Sequence, residues 1–216
     1  MFHEDTVAAA TPPLEAKRML FSQYATEQVR CGKPLKLSFI DVRKAYFNAV
    51  PERDLYVRLP AELGMSKDYV AKLKKCMYGT RDAASLWENC YGDALKKMGF
   101  VQGVASPCCF YHSAWGVQCV VHGDDFTALG NADGLNAYEK AMQEAFECKL
   151  KGRLGGEDGD EKEMRVLNRI VRVTSRGLLY EPDPRHIELL IKAMDLEQAN
   201  SQVTPCVKMT AQEEES

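Results

Sequence analysis

The sequence predicts an α+β domain in which an antiparallel sheet carries helices on one face. Apolar runs at 108–112, 117–121 and 126–129 are separated by short turns, which is the pattern of consecutive hairpins. Residues 83–98 and 132–148 instead place their apolar side chains at helical spacing. Hairpins interspersed with helices favour a mixed fold of this kind.

The other elements follow from the same periodicities and from turn residues. In chain order they are a helix from Pro12 to about Val29, strands at 35–41 and 55–58, a short helix at 67–75, strands at 164–173 and 178–180, and a final helix at 184–194. Proline at the start of the first helix and Gly32 after its end fit the usual punctuation of helices. The acidic, glycine-rich segment 155–163 predicts an exposed loop, because it has too little apolar surface to join a core.

Length and composition predict one globular domain. The chain has 216 residues, of which 45% are hydrophobic, and this is enough to bury a full core. Residues 1–11 are expected to form a flexible lead-in and residues 209–216 a disordered tail. No stretch reaches the roughly 18 apolar residues that a membrane span needs, and the N-terminus lacks the regions of a signal peptide. We therefore expect a cytoplasmic or nuclear protein that does not enter a membrane.

Charge and cysteine content argue against two further classes. A net charge of −3 and a pI near 5.9 disfavour a domain that binds nucleic acid through its overall charge. The eight cysteines include no Cys-x-x-Cys pair and no histidines at matching spacing, so neither a zinc site nor a disulfide framework is expected. Reduced thiols in the core are the better interpretation.

Three acidic residues at the ends of strand-like runs form the candidate chemical site. Asp41 ends the apolar run 35–41, and Asp124 and Asp125 occupy a tight turn between two apolar strands. Gly-Asp-Asp alone is a common turn sequence, so the context of all three acids carries the argument. Hard divalent cations prefer carboxylate oxygens, and a two-ion phosphoryl-transfer site needs several of them close together. The three acids together predict such a site.

Five ordered motifs resemble those of copia-type retrotransposon reverse transcriptases. They are DVRKAYFNA at 41–49, DLYVRLP at 54–60, KLKKCMYGTRDAASLW at 72–87, GF at 99–100 with SPCCFY at 106–111, and HGDD at 122–125. The last motif stands where the family usually has Tyr-Val-Asp-Asp. Weaker similarities at 146–149, 166–170 and 185–190 extend the resemblance from about residue 12 to residue 208.

The resemblance implies a fold and a metal site. The fold is a reverse-transcriptase palm with part of the fingers in residues 12–181 and the start of a helical thumb in residues 182–208. The site would hold two Mg²⁺ ions, or Mn²⁺ in their place. The residues expected to bind these ions are Asp41, Asp124, Asp125 and Val42.

The resemblance also implies substrate-binding residues. Tyr46 is similar to the aromatic gate that crowds a ribose 2′-hydroxyl and favours deoxynucleotides. Gly79 and Arg81 resemble the region that contacts template and nucleotide. Either Lys149 or Lys151 matches a lysine near the pyrophosphate, although a solvated helix end is an equal reading of both.

The function implied is that of an RNA-directed DNA polymerase, which extends a primer on an RNA or DNA template with deoxynucleoside triphosphates. Two alternatives stay open. A chain without the family's fingertips would be a non-catalytic retroelement remnant with at most weak nucleic-acid binding. An RNA-templated RNA polymerase would share Gly-Asp-Asp, but Tyr46 speaks against it. The sequence indicates no particular oligomeric state.

Overall fold

A computed structural model describes residues 14–27, 29–30 and 32–200. The predicted lead-in, the predicted tail and the last part of the predicted thumb segment lie outside the described residues. Cys31 and Cys206 lie outside them as well. The six cysteines within the described residues are free thiols.

The described residues contain helices and strands in mixed order. The helices are α1 (Leu14–Glu27), α2 (Ala83–Lys97), α3 (Ala132–Ala145) and α4 (Arg185–Ala193). The strands are β1 (Val29–Arg30), β2 (Lys33–Val42), β3 (Tyr56–Arg58), β4 (Val70–Lys72), β5 (Val101–Gln102), β6 (Cys109–His112), β7 (Val117–His122), β8 (Asp125–Asn131), β9 (Cys148–Leu154), β10 (Glu163–Val166), β11 (Arg169–Thr174) and β12 (Gly177–Pro182). Short 3₁₀ helices lie at Ala45–Asn48 and Ala61–Leu63. No helix in this part of the chain is both long and apolar enough to cross a membrane.

The central sheet joins the N-terminal and middle parts of the chain. Within the described residues it has seven strands in the order β1-β2-β8-β7-β6-β5, with β9 also paired to β2. All of its strand pairs are antiparallel, as the hairpin signals predicted. In β2, Leu37 and Phe39 pack on one face while Ile40 and Val42 pack on the other. Burial on both faces explains why this segment reads as an almost continuous apolar run.

Helices cover both faces of the central sheet, so the prediction that they lie on one face is wrong for α1. On one face, α2 and α3 contribute Trp87 and Tyr138 to a core that includes Ile40. On the other face, α1 contributes Leu20 to a second core that includes Phe39. The small sheet β10-β11-β12 adds apolar side chains to the second core. Both layers are needed because the central strands are apolar on both sides.

The start of α3 is fixed by local residues. The side chain of Asn131 accepts a hydrogen bond from the backbone N–H of Gly134 at 2.9 Å and so caps the helix. A Cβ atom at Gly134 would collide with the backbone carbonyl of Trp115 in the turn between β6 and β7. Glycine therefore allows α3 to pack closely against this hairpin.

The helix predicted at 67–75 is wrong. This segment contains β4, which pairs antiparallel with β3 through Val57 and Ala71. An ion pair between Asp54 and Lys72 also joins the two segments. Most side chains from 61 to 70 are exposed, so no buried helical face is available to stabilise a helix there. Strand pairing decides the conformation instead.

Two predicted boundaries after residue 130 are also wrong. The helix predicted at 132–148 ends at Ala145, and residues 148–154 form β9, which covers a free edge of β2. The strand predicted at 164–173 is two strands, because Leu167 and Asn168 form a turn with φ of 47° and 58°. Hydrogen bonding to distant strands, which local periodicity does not encode, sets both boundaries.

Asp183 connects α4 to the small sheet. Its side chain is fully buried, accepts a hydrogen bond from Arg185 at 2.6 Å and forms an ion pair with Arg165 at 2.8 Å. The backbone N–H of Arg185 donates to the same carboxylate at 3.1 Å. Hydrogen bonds from Arg185, together with the charge of Arg165, lower the pKa of Asp183 to about 2. Asp183 is therefore a carboxylate anion at neutral pH, and in this form it holds the start of α4 in place.

We expect Asp183→Asn to destabilise the fold, because the amide keeps the volume but loses the charge that two arginines neutralise. The folded-state pKa lies below the ordinary value of 3.8, so the stabilisation is present above that pH and is lost as pH falls toward 2. Urea unfolding at pH 7 and pH 3 checks this, with a smaller difference expected at pH 3. Asp158→Asn, at an exposed position, is the control, and equal midpoints for all three proteins at pH 7 would contradict the prediction.

Candidate active site

Asp41 and Asp125 lie directly opposite each other at the ends of β2 and β8. They are paired Cα partners in the antiparallel register, so their side chains project from the same face of the sheet. The buried residues that precede Asp41 and follow Asp125 set this register, because a slip of one residue would turn both apolar faces outward. The structure thus brings together two of the three predicted acids.

One ammonium group bridges these two carboxylates. Lys151 Nζ lies 2.8 Å from Asp41 Oδ2 and 2.7 Å from Asp125 Oδ1. The side chains of all three residues keep between 22% and 34% of their surface exposed, so the contact faces solvent. Burial lowers the pKa of Lys151, but hydrogen bonds to Asp125 and Asp41 outweigh it and leave the pKa raised. Lys151 is therefore a cation at neutral pH.

A β-bulge aims Lys151 at the acids. In the pairing of β2 with β9, Ile40 lies opposite Leu150 but Phe39 lies opposite Gly152, so Lys151 is the extra residue. Gly152 has a φ of +125°, which L side chains rarely adopt, and it accommodates the irregular backbone. Bulges commonly redirect a side chain beside a functional site.

The turn that carries Asp124 and leads into Asp125 is held from two sides. His122 and Asp125 are paired, so Gly123 and Asp124 form a two-residue loop, with Gly123 at φ +64°. The indole N–H of Trp87 in α2 donates to the carbonyl of Gly123 at 2.9 Å. The backbone N–H of Val42 donates to the carbonyl of Asp124 at 2.9 Å. These bonds connect the turn to α2 and to the end of β2.

Asp124 and Val42 stand differently from the acid pair. Asp124 is exposed at the tip of the turn, and no cluster of three or more His, Cys, Asp or Glu side chains that could hold a metal ion occurs within the described residues. The side chain of Val42 is buried on the α2–α3 face, so only its backbone could contribute to a metal site. The carboxylate oxygens of Asp41 and Asp125 are hard ligands that suit Mg²⁺ or Mn²⁺. The metal-binding roles of all four residues stay predictions.

An aromatic cluster follows Asp41 along the chain. Tyr46 lies in the 3₁₀ helix at Ala45–Asn48, and its ring centroid is 4.4 Å from that of Tyr78. Burial raises the pKa of Tyr78, and the negative charge of Asp124 raises it further, so this phenol lies within electrostatic reach of the turn. Gly79 adopts φ +87° in an exposed turn, and Arg81 is exposed. Tyr46, Gly79 and Arg81 therefore keep at least part of their surface accessible, and their substrate-binding roles stay predictions.

The structure distinguishes the two candidate lysines. Lys149 is exposed and pairs with Asp41 only through the strand register, whereas Lys151 contacts both acids. The predicted helix at 132–148 left no strand at 148–154, so the sequence could not separate the positions of Lys149 and Lys151. The alternation of Cys148, Leu150 and Leu154 with polar residues, together with an internal glycine, was the available signal for a bulged strand.

Lys17 is a neighbour of the site that the sequence did not single out. This residue of α1 is only 3% exposed, and its Nζ has no hydrogen-bond partner among the described residues. Burial lowers its pKa from 10.5 to about 8, although the charge of Asp125 opposes the shift. Burial and the charge of Lys17 together lower the pKa of His122, which is therefore neutral at pH 7.

Comparison with protein families gives one match over most of the chain. Residues 14–163 match the family described as reverse transcriptase (RNA-dependent DNA polymerase). A curated relative, the retrovirus-related Pol polyprotein from transposon TNT 1-94 of Nicotiana tabacum, is 24% identical over 181 residues. The alignment covers 79% of this chain and 13% of that polyprotein. The chain thus spans a small part of the length of this relative.

Two solved structures with weak similarity are telomerases. Apo telomerase from Candida tropicalis, truncated from its C-terminal domain, aligns with a TM-score of 0.49 and 10% identity, covering 81% of this chain and 41% of that one. Telomerase from Candida albicans in complex with a fragment of telomeric RNA aligns with a TM-score of 0.42 and 10% identity, covering 83% and 35%.

We expect Lys17→Met to stabilise the protein, since a thioether side chain fills the same apolar space without a buried charge. A pKa lowered from 10.5 to about 8 reduces the free energy of unfolding by on the order of 3 kcal/mol while the amine is protonated in both the folded and the unfolded state. Because the folded-state pKa is the lower one, this cost is complete below pH 8 and disappears as pH rises toward 10.5. The variant should therefore gain most at pH 7.

Chemical denaturation at pH 7 and pH 10 measures this difference. Lys140→Met, at an exposed position of α3, is the matched control and should change stability little. A Lys17→Met protein that is less stable than the parent at pH 7 would show that the ammonium has an acceptor.

Proposed function

Since the chain belongs to the reverse transcriptase (RNA-dependent DNA polymerase) family, we propose that it catalyses nucleotidyl transfer to a primer 3′-hydroxyl as an RNA-directed DNA polymerase. The resemblance to copia-type enzymes that the motifs predicted is confirmed at the level of the family. Its partners would be an RNA or DNA template-primer and deoxynucleoside triphosphates. Residues 12–181 would form the palm with partial fingers, and 182–208 would begin a thumb, in a cytoplasmic or nuclear protein.

The observation that supports this proposal best is the pairing of Asp41 with Asp125. Two carboxylates from separate strands share one face and one cationic partner, so both can contribute oxygens to the same small volume. Asp124, adjacent in the chain, and the backbone of Val42 would complete the ligand set. When bound, a pair of Mg²⁺ or Mn²⁺ ions would lower the pKa of the primer 3′-hydroxyl and neutralise charge on the triphosphate.

The residues of the chain have separate tasks in this proposal. Trp87 holds the turn from α2, so that the acids keep their positions without substrate. Tyr46, packed against Tyr78, restricts the space beside the sugar. Gly79 and Arg81 lie on the exposed surface that would receive template and nucleotide. Placement and charge neutralisation provide most of the catalysis in phosphoryl transfer.

One observation favours the alternative of a non-catalytic remnant. No three-ligand cluster occurs within the described residues, and the carboxylate of Asp124 is exposed at the tip of its turn. In a remnant, the ion pairs of Lys151 would serve stability alone. The alternative and the enzyme differ in whether removing a single acid abolishes DNA synthesis.

Primer extension on poly(rA) with oligo(dT), dTTP and Mg²⁺ tests the function. We expect Asp41→Asn, Asp124→Asn and Asp125→Asn each to lower incorporation by roughly 100-fold or more, as loss of a metal ligand or charged group in a catalytic site does. Asp158→Asn, on an exposed loop, should retain the parent rate. Incorporation that persists in Asp41→Asn and Asp125→Asn would refute the site. No incorporation by the parent chain would favour the remnant.

Replacing the proposed gate should change sugar selection. We expect Tyr46→Val to increase the use of UTP relative to dTTP by about tenfold or more, the range in which pocket contacts discriminate. The rate with dTTP should fall less than this ratio changes. Tyr56→Val, at an exposed position of β3, is the matched control. An unchanged ratio for Tyr46→Val would mean that Tyr46 only packs within the palm. A parent enzyme that prefers UTP would instead favour an RNA polymerase.

A further inference from the structure

We propose that Lys151 competes with divalent cations for Asp41 and Asp125, so that cation binding displaces its ammonium group from the two acids. This inference rests on the proposed function, because it assumes that these two acids bind metal ions. It assigns to Lys151 an effect on cation affinity that the resemblance to the family does not imply.

The geometry of Lys151 is that of a cation placed between two anions. Its Nζ lies within 2.8 Å of one oxygen from each carboxylate, so it occupies the volume that both oxygens face. A metal ion that binds the same two oxygens needs the same volume. A dication and an ammonium group also repel each other at such distances. Occupancy by one therefore opposes occupancy by the other.

The backbone around Lys151 makes this contact a built feature of β9. The bulge between Leu150 and Gly152 leaves Lys151 outside the regular pairing and turned toward the acids. Arg153, two residues after Lys151, anchors the strand through hydrogen bonds of 2.7 Å to Glu139 and to Asn136 in α3. The strand is thus held in place, while the flexible four-carbon side chain of Lys151 can change rotamer.

The ion pairs of Lys151 are also exposed enough for a cation from solution to replace the ammonium group. About one third of the Lys151 side chain is accessible, as is about one third of Asp41. Ion pairs with this exposure are weak, because water screens them. Lys36 provides a contrast, because its bridge to Glu157 and Asp160 leaves only 11% of its side chain exposed. Lys151 is the more readily displaced of the two.

Charge explains why the chain needs such a lysine. Two carboxylates directly opposite each other on adjacent strands destabilise the sheet. Lys151 neutralises one of the two negative charges and so stabilises the pair. Once a dication neutralises both, the ammonium group no longer gains free energy by staying between the two acids.

Mn²⁺ binding, measured from the electron paramagnetic resonance signal of the free ion, tests the competition without any catalysis. We expect Lys151→Met to bind Mn²⁺ about tenfold more tightly than the parent, a coupling of ordinary size for competing ligands. Lys151→Arg restores a competing cation and should bind close to the parent value. Lys149→Met, the matched neighbour on the same strand, should stay within about twofold of the parent.

The outcomes separate the two proposals. If neither the parent nor Lys151→Met binds Mn²⁺, the proposed metal site fails and this inference fails with it. If both bind and Asp125→Asn does not, the metal site stands. In that case, equal or weaker binding by Lys151→Met overturns the competition alone.

A second measurement uses the unmodified chain, so it does not depend on how the variants fold. The rate at which an N-hydroxysuccinimide ester acetylates Lys151 is measured by mass spectrometry with and without Mn²⁺, with Lys149 as the internal reference. Release of the ammonium predicts faster acetylation of Lys151 relative to Lys149 when Mn²⁺ is added. An unchanged or slower relative rate would show that the lysine stays on the acids and would overturn the inference.

Discussion

The antiparallel register of β2 and β8 is the constraint on which the candidate site depends. Apolar residues on both faces of these strands are buried, so the register cannot slip by one residue without exposing two cores. With this register, Asp41 and Asp125 must lie opposite each other. Core packing therefore forces two anions close together. The free energy gained by burying the two cores offsets the repulsion between them.

The two layers around the sheet contribute to the site in different ways. The α2–α3 layer holds the hairpin turn from behind, where the indole of Trp87 reaches the carbonyl of Gly123. The α1 layer lies on the face from which the acids project, and it places the buried ammonium of Lys17 within electrostatic reach of Asp125. A sheet with helices on one face only, as the sequence predicted, would have lacked this second influence on the acids.

The hairpins and the strand ends that carry the acids could be predicted because their signals are local. Apolar runs mark the strand ends where Asp41 and Asp125 lie, and a glycine marks the turn between β7 and β8. The contact of Lys151 with both acids could not be predicted, since it depends on which strand β9 pairs with and on where the pairing is interrupted. The helix wrongly predicted at 67–75 failed for a related reason, because pairing with β3 outweighs the weak helical preference of an exposed segment.

The two lysines near Asp125 show how burial determines what a cation can do. Lys17 is almost inaccessible and has no hydrogen-bond acceptor among the described residues. Its charge therefore affects Asp125 only by long-range electrostatics, and no cation from solution can replace it. Lys151 has two direct partners and a solvent-facing side chain, so its place between the acids can be taken by an ion from solution. If this carboxylate pair binds divalent cations, as proposed, it needs a partner of the second kind. The bulge in β9 provides it, because it leaves Lys151 outside the regular pairing and in contact with both acids.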